Sequence, residues 1–231
     1  MRVAYLHGFL GDPAVWDGIR GPAALALTLP GHGPAGGPVA PTWEANLAAM
    51  AEAIARRGGC DVVVGYSLGA RVALGLVATG RAPRAVLVSV NPGISDAERA
   101  ARRASDAAWA TRLRTDPLAD VLDAWEAQPL FATQARASMA QRAARRARRL
   151  TLDPAQLVRS LEVMGLAEMP DYRPTVDAAR ITLLAGADDA KYIALARALP
   201  LPLVVVPGAG HDPTFEAPAA LAEVLAAALA P

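Results

Sequence analysis

Cysteine and lysine are almost missing from this sequence. Cys60 is the single cysteine, so no intramolecular disulfide can form, and its place just before an apolar strand-like run predicts a buried thiol rather than a reactive one. Lys191 is the single lysine. Basic charge is therefore carried by arginine, and the abundant alanine points to GC-rich coding, so only the positions of arginines can inform, not their number. A charge excess is missing too. The formal net charge is +1, which gives no global field to attract nucleic acid or a membrane surface. No apolar run approaches a spanning length, and the first residues, Arg2–Leu6, lack the charged region, apolar stretch and cleavage site of a signal peptide. These absences predict a cytoplasmic protein that recognises a small molecule locally, with no nucleic-acid, membrane or obligatory protein partner.

Enough apolar residues are present, 53% of 231, to bury one large core. Short apolar runs that read as buried parallel strands occur at Arg2–Leu6, Ala24–Leu29, Asp61–Gly65, Arg84–Val90, Arg180–Ala185 and Pro202–Val206. Alanine-rich helical stretches lie between most of them. Thr42 can cap a helix whose stripe is Trp43, Leu47, Met50 and Ile54 and which Gly58-Gly59 ends; Gly69–Ala78 and Pro218–Leu229 read as helices as well. This alternation predicts a mostly parallel sheet flanked by helices on both faces. From about residue 95 to 169 the alternation stops, and an arginine-rich helical pattern takes over. That stretch is too long for a loop and is expected to be a helical cap inserted into a single domain spanning 1–231. Pro30–Pro41 reads as a surface loop.

The chemistry concentrates in Gly65-Tyr-Ser-Leu-Gly69, which follows the apolar Val62–Val64 and opens a helix. Strand, tight turn and helix are the context of a nucleophile elbow, which would raise Ser67 above the sheet edge. A serine there needs a histidine to take its proton and a carboxylate to orient the histidine. His211 lies in the glycine-rich Gly208–Asp212 loop after the last strand. The carboxylate is expected after the preceding strand, where Asp188 and Asp189 both qualify. Leu6–Gly11 follows the first strand and would place the Phe9 amide beside that of Leu68 as an oxyanion hole. His7, and likewise His32, is expected to brace a turn rather than move protons. Arg71 follows Ser67 by one helical turn, where a guanidinium would favour an anionic substrate.

Over nearly its whole length the chain resembles the 2-succinyl-6-hydroxy-2,4-cyclohexadiene-1-carboxylate (SHCHC) synthase family of the α/β-hydrolase fold. The resemblance is carried by Leu6–Gly11, Gly65–Arg71, Asn91–Ile94, Arg102 with Ser105-Asp106 and Trp109, Trp125 with Gln128–Phe131, Gly186–Lys191, and Gly210-His211. It departs at Ala70 and Asn91, small changes that leave the chemistry untouched. The resemblance implies Asp189, not Asp188, as the orienting acid. It further implies Arg71, Arg102 and Arg149 (or a neighbour such as Arg148) as ligands of substrate carboxylates, and Tyr66 and Trp125 as pocket residues. It implies a lyase that eliminates pyruvate from a tri-acid in menaquinone biosynthesis, with Ser67 as general base and neither metal nor organic cofactor. Two other readings use the same residues: a carboxylesterase with Ser67 as nucleophile and an apolar pocket, or a binding protein that keeps the fold without catalysis.

Overall fold

The computed structural model describes residues 1–230. Six strands form one sheet: β1 (Val3–Leu6), β2 (Leu25–Leu27), β3 (Val62–Tyr66), β4 (Arg84–Val88), β5 (Ile181–Gly186) and β6 (Leu203–Val206). They are all parallel, in the order β2-β1-β3-β4-β5-β6. Helices cover both faces, as a parallel sheet requires. The β-branched run Val62–Val64 forms the middle of β3, fully buried between its neighbours. The outermost strand differs from the expected buried run. Val204 and Val205 of β6, the strand that ends the sheet, are exposed. The Pro30–Pro41 stretch also differs: Gly31, His32 and Val39 are buried.

Helix α1 (Trp43–Ala55) starts where Thr42 Oγ1 accepts the Ala45 N–H at 3.1 Å, and its stripe Trp43, Leu47, Met50 and Ile54 enters the main core. Gly58 and Gly59 end it with positive φ angles of 91° and 78°. Helix α2 (Leu68–Ala78) follows β3 directly. Between β4 and β5 lie α3 (Asp96–Thr115), α4 (Leu118–Glu126), a 3₁₀ stretch (Pro129–Arg136), α5 (Met139–Arg149) and α6 (Pro154–Met164). These helices share a small core of their own, including Leu113, Leu122, Leu157 and Leu161, to which the loop after β1 contributes Leu10. Helices α7 (Ala190–Arg197), α8 (Pro213–Glu216) and α9 (Pro218–Ala228) complete the chain as described. No helix among the described residues is long and apolar enough to cross a membrane.

Candidate active site

Ser67 sits between β3 and α2 with φ 51° and ψ −108°, a conformation that a non-glycine residue adopts at a cost of about 1–3 kcal/mol. Its amide is fixed by the Val88 carbonyl at 3.0 Å. The flanking glycines permit the turn. A Cβ on Gly65 would overlap the Gly69 backbone, and one on Gly69 would overlap the Leu6 and His7 carbonyls. Close passage of strand, helix and oxyanion loop is thus possible only without side chains at these two positions.

The turn delivers Ser67 to His211, whose Nε2 stands 3.4 Å from Oγ. That hydrogen bond is long, as serine–histidine contacts in unliganded sites commonly are. On its other side, His211 Nδ1–H donates to Asp189 Oδ2 at 2.9 Å. The second carboxylate oxygen accepts the Tyr192 N–H at 3.1 Å. His211 and Asp189 are 2% and 5% exposed, so water does not compete for either bond. Asp188 points elsewhere, into an exposed ion pair with Arg136.

The Ser67 hydroxyl opens on a cavity of about 140 Å³. Phe9 and Leu68 line it, and neither backbone N–H donates to another group of the protein among the described residues. The Leu68 amide also belongs to the first turn of α2, where free donors and the helix dipole favour negative charge. Two guanidinium groups reach the same cavity. Among the described residues Arg71 forms no ion pair with a carboxylate, and it donates to the Met164 carbonyl at 2.8 Å; burial, and after it the nearby charge of Arg102, pushes its pKa down to about 10. Arg102, from the insertion, is held in a two-pronged pair with Asp106 at 2.9 and 2.8 Å. Trp125 lines the cavity and lies 5.1 Å from the Phe9 ring and 4.9 Å from Trp109.

Tyr66 and Arg149 stand elsewhere. Both line a neighbouring cavity of about 260 Å³ that shares Phe9 as a wall. Arg149 is drawn there by the Leu10 carbonyl at 3.2 Å and Glu126 at 2.6 Å. Arg148 lines that cavity as well and pairs with Asp12 at 2.8 Å. The Tyr66 ring still lies 5.7 Å from that of His211.

His7 and His32 are buried behind the oxyanion loop. His7 donates to the Gly8 carbonyl at 2.8 Å and accepts the Leu29 N–H at 3.0 Å. Burial pushes its pKa down to about 4 and that of His32 to about 3. They are neutral braces, their rings 5.2 Å apart, with Phe9 against His32 at 5.5 Å. The Cys60 thiol is pushed up by burial and then by Asp61, which disfavours the nucleophilic thiolate. No group of three or more His, Cys, Asp or Glu side chains is placed to hold a metal among the described residues.

Sequence reasoning missed Tyr192, whose ring packs 4.3 Å from that of His211 and which lines the cavity. Its signal was its spacing: an aspartate at the start of a helix accepts the N–H three residues on, so naming Asp189 also placed Tyr192. It also missed Ser89 and Ser160, two buried serines on the cavity wall.

Comparison with known proteins accords with this geometry. The alpha/beta hydrolase family model matches residues 3–224. The 2-succinyl-6-hydroxy-2,4-cyclohexadiene-1-carboxylate synthase of Serratia proteamaculans is 37% identical over 96% of this chain and 90% of its own. That of Klebsiella pneumoniae strain 342 is 36% identical over 99% and 93%. Among solved structures, MenH from S. aureus superposes with a TM-score of 0.87 at 24% identity, covering 98% of this chain and 92% of that one. A malate-bound thermophilic esterase from Thermogutta terrifontis gives 0.80 at 24% identity, covering 99% and 89%; both structures bear on the fold alone. The chain belongs to the alpha/beta hydrolase family and, within it, to the 2-succinyl-6-hydroxy-2,4-cyclohexadiene-1-carboxylate synthases.

Proposed function

We propose that this protein is the SHCHC synthase of menaquinone biosynthesis, a cytoplasmic lyase that converts 2-succinyl-5-enolpyruvyl-6-hydroxy-3-cyclohexene-1-carboxylate to SHCHC and pyruvate. One observation carries the reading beyond kinship: the Ser67–His211–Asp189 chain opens on a cavity that also holds Arg71 and Arg102. A tri-acid entering a partly dry site needs paired positive charge. A simple esterase has no use for it.

In this mechanism His211, oriented by Asp189, draws the proton from Ser67, and the Ser67 oxygen removes a carbon-bound proton of the substrate next to a carbonyl. The electron pair moves onto the carbonyl oxygen as an enolate, which the Phe9 and Leu68 amides hold. Its return breaks the carbon–oxygen bond to the enolpyruvyl group, which leaves as enolpyruvate, takes up a proton and ketonises to pyruvate. Residues of about 95–169 act as a cap in a single domain, supplying Arg102 and Trp125. Arg71 and Arg102 hold substrate carboxylates directly. Arg149 and Tyr66, one wall away, serve the part of the substrate that extends past Phe9.

Incubation with the enolpyruvyl tri-acid, reading pyruvate release continuously, tests the assignment, with a small neutral activated ester as the comparison. Pyruvate release with slow ester cleavage is expected. Efficient ester hydrolysis without pyruvate release would replace this reading with the esterase.

A further inference from the structure

Ser89 follows β4 at the carboxyl edge of the sheet, directly after Val88, whose carbonyl holds the Ser67 amide. It lines the Ser67 cavity. Two unfavourable features coincide at this residue. Its φ is 52°, in the left-handed region where a side chain is strained and glycine is not. Its hydroxyl is also buried with no hydrogen-bond partner, although buried hydroxyls are nearly always satisfied. Glycine would remove both features at once. Ser160, on α6 of the insertion, repeats the second: it lines the same cavity, is 2% exposed, and has an unpartnered hydroxyl. Among the described residues, these are the only two serine hydroxyls in that condition, and both belong to the catalytic cavity.

We propose that the Ser89 and Ser160 hydroxyls are ligand-binding groups that recognise uncharged oxygens, hydroxyl or ketone, of the bound molecule. Carboxylates are matched by Arg71 and Arg102, because an anion in a partly dry cavity is held best by a guanidinium. A neutral hydroxyl closed off from water suits a neutral oxygen, which it can meet as donor or acceptor. The choice of ligand rests on the reading above, in which the substrate carries a ring hydroxyl and a succinyl ketone in addition to its carboxylates. Strain and an orphaned hydroxyl persist at a binding site when a ligand resolves them.

The test compares wild type with Ser89→Gly, Ser89→Ala and Ser160→Ala, measuring thermal unfolding, product (SHCHC) affinity by calorimetry, and KM and kcat for pyruvate release. Ser89→Gly should raise Tm by about 2–4 °C through relief of strain, yet weaken product affinity and raise KM by about 3–10-fold, the loss of one neutral hydrogen bond. Ser89→Ala keeps the strained backbone and removes only the orphaned hydroxyl, so it should show the same affinity loss with a smaller gain in Tm than Ser89→Gly. Ser160→Ala should lose affinity to a similar extent without losing stability. A lowered Tm in Ser89→Gly would show that the hydroxyl supports the fold, and unchanged affinity in both Ser89 variants would show that no ligand meets it; either result overturns the proposal. Absence of pyruvate release by the wild type would overturn the reaction assignment. Unchanged affinity with pyruvate release intact would overturn the subsite alone.

Discussion

The two guanidinium groups of the catalytic cavity differ in one respect, and replacing each with methionine exposes it. Arg71 is charged without an ion-pair partner among the described residues, and the fall of its pKa to about 10 corresponds to an unfavourable charging free energy of about 1–3 kcal/mol once cavity water is allowed for. This penalty is present at all pH values below the folded pKa and fades only as pH rises through it, so near neutrality Arg71 weakens the folded state. Arg71→Met should therefore leave stability within about 1 kcal/mol of wild type or raise it, the lost bond to the Met164 carbonyl offsetting part of the gain. Its effect on turnover should be large. A charge-assisted carboxylate contact contributes about 1.5–3 kcal/mol, so kcat/KM should fall about 10–150-fold. Arg102→Met should lower kcat/KM similarly, but it strands Asp106, which is only 6% exposed and loses both of its guanidinium hydrogen bonds. Because Arg102 itself is 37% exposed, the stability loss is set at about 1–3 kcal/mol rather than the full value for a buried pair. Urea denaturation of both variants, alongside pyruvate-release kinetics, provides the readout. If Arg71→Met is destabilised by more than about 2 kcal/mol, or if Arg102→Met matches the wild type, the account of cavity charge is wrong.

The acid assignment predicts that Asp189→Asn lowers kcat by about 10²–10⁴-fold, in company with Ser67→Ala and His211→Ala, while circular dichroism stays native. Asp188→Asn should stay within about twofold, since it breaks only an exposed pair with Arg136, and the reverse ranking would move the orienting role to Asp188. Acid should destabilise the fold early. Both His7 and His32 have folded pKa values, about 4 and about 3, below the ordinary 6.5, so as pH falls through 6.5 the unfolded chain gains protons that the folded one refuses. Each should remove about 2 kcal/mol by pH 5. His32→Asn should therefore flatten the fall of Tm between pH 6.5 and 5 by about half, and an unchanged slope would refute the assignment of neutral, buried imidazoles.

Much of this protein was legible because its signals are local. Strand and helix alternation follows from runs of apolar residues, and the elbow follows from five consecutive residues whose glycines answer a steric need within the same turn. Chain order then places the acid and the histidine after successive strands, which names His211 and narrows the acid to Asp188 or Asp189; only the family resemblance singled out Asp189. The Arg71 position follows from helical spacing alone. What the fold decided is contact between segments far apart in sequence, which periodicity does not encode. Asp188 and Asp189 are neighbours in the chain, yet one faces His211 and the other Arg136, because the turn after β5 points consecutive side chains in different directions. Arg149, which the resemblance implies as a ligand of a substrate carboxylate, lines the neighbouring cavity past Phe9, where the Leu10 carbonyl and Glu126 compensate its charge. The exposure of Val204 and Val205 depends on which strand lies at the sheet edge, a matter of topology. Ser89 shows the limit most plainly: a serine after a valine-rich strand reads as an ordinary turn residue, and only its left-handed backbone and orphaned hydroxyl, both products of tertiary packing, mark it as part of the site.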